Sequence, residues 1–132
     1  MLIPPRIHGL IDYSVAVLLI AAPWLLGFQD NGTAMLVPVS IGIATIVMSL
    51  LSRYKYGVLK LIPFSLHLLL DTIAGIVLAI SPWAFDFSRD VYAPHLAAGL
   101  FSLLVVALSM KTTIAQKRLM RDYQPMNAGN SW

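Results

Sequence analysis

Two stretches decide the fold: LIPPRIHGLIDYSVAVLLIAAPWLLGF at residues 2–28 and LIPFSLHLLLDTIAGIVLAISPWAFDF at residues 61–87. A shift of 59 residues lays one on the other, with ten of 27 positions identical. His8 falls on His67, Asp12 on Asp71, Pro23-Trp24 on Pro82-Trp83 and Phe28 on Phe87. Histidine, aspartate, proline and tryptophan are uncommon in apolar runs, so shared lipid-like composition is a poor explanation for the match. The two halves are copies of one unit.

The unit is a pair of helices. Around the repeated stretches lie four apolar segments, at about 7–28, 34–52, 62–84 and 92–110. Each is long enough to cross a hydrocarbon core of about 30 Å as a helix rising about 1.5 Å per residue. A spanning segment must satisfy its own backbone, which favours helices over lone strands. The expected fold is therefore all-α and polytopic, with four transmembrane helices. Because each unit crosses twice, both units enter from the same side, and the repeat is parallel. The second helices match more loosely, near Pro38 with Pro94 and Gly42 with Gly99, across a one-residue gap. Residues 1–57 and 58–112 form the two units. Residues 113–132 form a basic tail, expected to lie as a helical extension on the inner leaflet. Its run 124–130 has a disordered composition.

Composition agrees. Hydrophobic residues make up 58% of the chain and charged residues 11%; a soluble domain carries about a quarter charged. Cysteine is absent, which excludes disulfides, thiol chemistry and cysteine-held metal. Arg6, Arg53, Lys55, Lys60, Lys111, Lys117, Arg118 and Arg121 fall on one side of the four spans and Arg89 alone on the other. The positive-inside rule then puts both termini in the cytoplasm and the chain in a bacterial inner membrane. Those basic residues are accounted for by orientation, so no nucleic-acid partner is expected. Pro23 directly after Ala21-Ala22 argues against leader cleavage. Asn31-Gly32-Thr33 matches a glycosylation acceptor but reads as a turn.

Ser81-Pro82-Trp83 and its variant Ala22-Pro23-Trp24, each closing a span that opens with His-x-x-x-Asp, resemble the bacterial SPW repeat family. The resemblance covers the chain up to about residue 112 and implies a four-helix membrane protein with no established activity.

Two motifs within each copy bear on function. Pro-Trp lies 16 residues beyond the histidine, about 24 Å along a helix axis. There Pro23 and Pro82 stop or bend the helix, and Trp24 and Trp83 anchor it at the opposite interface. A gate at that kink is the functional alternative. His-x-x-x-Asp puts both side chains on one helix face. An uncompensated carboxylate inside a membrane is costly, so His8, Asp12, His67 and Asp71 should turn inward and find partners. They can bond one another, with help from Tyr13, Ser14 or Thr72. Converging near the repeat axis, they can instead hold a transition metal or, with histidine on both faces, a haem. A proton or ion pathway is the remaining reading. His95 has no counterpart in the first unit and is expected at headgroup level. Small residues at a spacing of four (Ser40 and Ala44, Gly75 and Ala79, Ala98 and Ser102) suit close helix packing or dimerisation. No glutamate, phosphate loop or nucleophile constellation is present. The expectation is a structural or accessory protein of the lipid bilayer, without catalysis or an obligate cofactor, packing against copies of itself or a larger complex.

Overall fold

The computed structural model describes residues 3–123, without the side chains of residues 112 and 113. It contains α1 (Pro5–Leu25), α2 (Gly32–Leu51), α3 (Phe64–Ala84) and α4 (Ala93–Tyr123). All four are long and apolar enough to cross a membrane. α1 packs chiefly against α2 and α3 against α4, while α2 meets α3 and α4 meets α1 to close the ring. α1 and α3 therefore lie diagonally across the bundle. Leucine, isoleucine and valine remain exposed on every helix, including Leu18, Ile43, Ile73 and Leu104, as expected where the surrounding medium is lipid.

The repeat is visible in the backbone. α1 and α3 are both 21 residues long and begin and end at equivalent positions. Each ends in the same capping turn. Phe28 N–H donates to the Pro23 carbonyl and Phe87 N–H to the Pro82 carbonyl, both at 2.9 Å. Between cap and phenylalanine the chain turns left-handed, at Gly27 (φ 75°) and Asp86 (φ 56°). This is the Schellman arrangement, in which glycine is the unstrained choice. It turns both phenylalanines inward, so that Phe28, Phe87 and Ala34 pack together and plug that end of the bundle. Trp24 and Trp83 remain more than half exposed beside the plug. Across the two turns Asn31 donates to Asp90 at 2.9 Å, and its side-chain oxygen caps α2 by accepting from Ala34 N–H. The triplet is thus a helix start.

Prolines inside the spans remove backbone donors, and side chains replace them. Pro82 leaves the Leu78 carbonyl without its usual partner, and Ser81 Oγ donates to that carbonyl at 2.8 Å. This is a physical reason for serine in Ser-Pro-Trp. Pro38 does the same to Ala34, and His95 Nε2 donates to the Ala34 carbonyl at 2.9 Å from the neighbouring repeat. His95 is thus buried between Phe28 and Phe87 at that end of the bundle. Only a packed structure brings that carbonyl and that ring together.

In the first copy Ala22 replaces the serine, so no hydroxyl reaches the Leu19 carbonyl that Pro23 strips of its donor. An apolar cavity of about 280 Å³ beside Leu19 and Ala22 leaves room for one. Ala22→Ser should raise thermal stability and Ser81→Ala lower it, each by about 1 kcal/mol, the net worth of one hydrogen bond. Melting of both variants in the same detergent checks the pair; a neutral Ser81→Ala would contradict this role for serine.

Small residues let the paired helices approach. A Cβ on Gly99 would lie 2.6 Å from Ala79, and one on Gly42 would lie 2.8 Å from the Ala16 carbonyl. Of the small-residue pairs read in the sequence, Gly75 and Ala79 lie at such a contact, whereas Ser40 and Ala44 face outward. α4 runs unbroken past Lys111 to Tyr123. The basic segment is thus a direct continuation of the fourth span, exposed throughout where its side chains are described. The segment 124–130 lies outside the described residues.

A candidate metal centre between the repeats

The first turns of α1 and α3 point His8 and His67 inward, and one turn further on Asp12 and Asp71 follow on the same faces. Because α1 and α3 are diagonal, the four side chains meet across the bundle axis. His8 Nε2 lies 2.9 Å from Asp71 Oδ2 and 3.3 Å from Asp12 Oδ1. His67 Nε2 lies 2.8 Å from Asp12 Oδ2 and 3.0 Å from Asp71 Oδ2. The shorter contact of each histidine thus crosses to the other repeat. Both histidines are fully buried and both carboxylates nearly so. One nitrogen or oxygen from each of the four residues lies within 4.8 Å of every other.

The outer nitrogens fix the tautomer. His67 Nδ1 is 2.7 Å from Ser52 Oγ, whose hydroxyl donates to the Met48 carbonyl at 2.6 Å. His8 Nδ1 is 2.8 Å from Ser109 Oγ, whose hydroxyl donates to the Val105 carbonyl at 2.8 Å. With its one proton committed to the helix backbone, each serine accepts from Nδ1–H. Nε2 therefore presents to the carboxylates either a lone pair or the second proton of an imidazolium. The first state is that of a metal-binding histidine, whose remote nitrogen donates to an orienting partner.

Ser52 and Ser109 were not among the partners read from the sequence. Tyr13 donates to the Tyr56 carbonyl, Ser14 to Leu10 and Thr72 to Leu68, so the hydroxyl protons of these three are committed away from the centre. The two serines are 57 residues apart, the offset that relates Gly42 to Gly99. That shared offset is the signal that could have found them.

The end of the centre toward the α2–α3 loop is covered by aromatic rings. Phe64 meets His8 edge-on at 5.4 Å and stacks on His67 at 6.0 Å. Tyr54 meets His67 at 5.8 Å and fills the space above Gly9, where a Cβ would lie 2.0 Å from its ring. Burial pushes the Tyr54 phenol above its ordinary value, so it stays protonated. Ser49 approaches Asp12 at 3.5 Å. Arg53, Lys55 and Lys60 lie in the loop beyond the lid. Arg53 Nε donates to the Lys60 carbonyl, and none of the three takes part in the centre's ion pairs. Lys111, Lys117, Arg118 and Arg121 lie on the exposed continuation of α4.

No curated protein and no solved structure matches the chain. The SPW repeat domain, in contrast, matches residues 6–111, a range holding all four centre residues, both supporting serines and both Pro-Trp pairs. With helices, repeat and motif in agreement over that range, the chain belongs to the SPW repeat family.

Proposed function

We propose that this membrane protein holds a divalent transition-metal ion, zinc in the first instance, between His8, Asp12, His67 and Asp71. The convergence of four donor atoms within 4.8 Å carries the reading. The nitrogen–oxygen separations of 2.8–3.3 Å are close to the edges of about 3.3 Å in a tetrahedron with metal bonds of about 2.0 Å. Slight spreading of these short pairs, with the wider donor pairs of up to 4.8 Å drawn together, would admit the ion. Charge supports it as well. Two carboxylates neutralise a divalent ion, so the filled centre is neutral within lipid. Haem is less well supported, because the carboxylates occupy the space a macrocycle would need between the imidazoles. By the distribution of lysine and arginine, the protein sits in a bacterial inner membrane with both ends of the chain and the centre toward the cytoplasm.

A second reading rests on the directness of the contacts. Two imidazoliums and two carboxylates are also neutral together, and at 2.8–3.0 Å they pair without an ion. The centre is then a clasp between repeats in an accessory membrane protein that acts by packing with itself or a larger complex.

Elemental analysis of protein purified from zinc-supplemented cells, with titration of metal-stripped protein, separates the two. The metal reading expects one zinc per chain, regained after stripping. Protein that neither carries nor takes up zinc or cobalt would leave the clasp.

A further inference from the structure

We infer that the metal centre is open on the face away from its aromatic lid and takes an exchangeable small ligand there: water, or a small monodentate anion. The inference rests on the metal reading above. Phe64 and Tyr54 cover one side of the imidazoles. On the other side His8, Asp12 and Asp71 open onto a cavity of about 30 Å³ on the bundle axis. A buried water needs about 10–15 Å³ measured in this way, together with two or more polar partners. The cavity therefore has room for one or two water-sized groups, and three of the four metal donors form its floor.

Its walls add polarity. Thr45 and Ser102 line it from α2 and α4. They are 57 residues apart, the offset that also relates Ser52 to Ser109. The repeat thus supplies two tiers of hydroxyls. One tier fixes the outer nitrogens of the histidines, and the other stands over the inner face of the centre. No side-chain hydrogen bond among the described residues occupies the hydroxyl of Thr45 or Ser102, so each has one to offer a ligand. Beyond them Leu19 and Leu78, related by the repeat, close the cavity with apolar walls. Such walls exclude bulky or strongly hydrated ligands. A zinc site with a free position can polarise what it binds, whereas a closed four-ligand site only holds the fold together.

Cobalt provides the test, because its visible spectrum reports coordination number. Metal-stripped full-length protein in detergent is loaded with Co²⁺ and titrated with sodium azide. The expected result is a saturable spectral change with loss of intensity, as a four-coordinate ion gains a fifth ligand. In Thr45→Leu and Ser102→Leu, which fill the cavity without touching a donor, cobalt should still bind one per chain and the azide response should disappear. A stoichiometric cobalt spectrum indifferent to azide would overturn the open position. So would an undiminished azide response in both filled variants, since the ligand would then enter elsewhere. Failure of cobalt to bind at all would instead remove the metal reading itself, and the open position with it.

Discussion

Replacing His67 with alanine should abolish stoichiometric metal binding and lower stability more than any other substitution within the centre. His67 is the more enclosed histidine: it is wholly buried, stacked on Phe64, and in contact with both carboxylates. Its loss leaves Asp12 and Asp71 to share His8, two negative charges facing one another inside the membrane. Removing one member of a buried ionic group costs about 3–5 kcal/mol, because the remaining charge keeps its desolvation penalty without its partner. Zinc should also raise the melting temperature of the wild type and leave His67→Ala unchanged. A ligand at a hundred times its Kd stabilises the folded state by about 2.7 kcal/mol. A companion variant separates metal from fold. Replacing His8, Asp12, His67 and Asp71 together with leucine removes every charge at once, so no partner is left uncompensated. It should recover much of the stability lost in His67→Ala and still bind no metal. Detergent melting with and without zinc reads both effects. A His67→Ala protein that retained one zinc per chain would exclude this residue as a ligand.

Gly57→Ala should be nearly as damaging, although residue 57 makes no contact with the four donors. The α2–α3 loop folds tightly back on the end of α2. Arg53 N–H donates to the Ile62 carbonyl at 2.8 Å, and Val58 and Leu61 donate to Leu50 and Leu51 at 2.7 Å. A Cβ at residue 57 would lie 1.8 Å from the Ser52 carbonyl oxygen and 3.3 Å from that of Ser49. These are backbone atoms, so no rotamer change can make room. The loop would have to lift from Ser52, the residue that orients His67. An overpacking cost of about 3 kcal/mol is expected, with a fall in metal affinity of about 10–100-fold as the orienting hydrogen bond is disturbed. Melting and a zinc titration of the same preparation test the two together. Wild-type stability in Gly57→Ala would contradict the packing of this loop.

Much of this protein was legible from its sequence. The four spans were placed to within a few residues, apart from the end of the fourth helix, which runs on to Tyr123, because crossing lipid demands long apolar helices. The 59-residue shift identified the repeat because it aligned residues that lipid alone would not select. The two His-x-x-x-Asp motifs were read as inward-facing, since their charge leaves them no favourable place against lipid. The partners were harder. Periodicity tells which face of a helix is buried, and says little about which helix lies across from it. The diagonal placement of α1 and α3, which makes the shorter contacts cross between repeats, is a tertiary fact. So are the choice of Ser52 and Ser109 over Tyr13, Ser14 and Thr72, the donation from His95 to the carbonyl freed by Pro38, and the clash that requires glycine at residue 57. Each depends on a hydrogen bond or steric contact a few ångströms long between segments distant in the chain. The sequence alone thus determined a duplicated membrane bundle and the four polar residues most worth examining. Only packing in three dimensions brought those residues to a single point, because their convergence depends on how the helices are arranged around the axis.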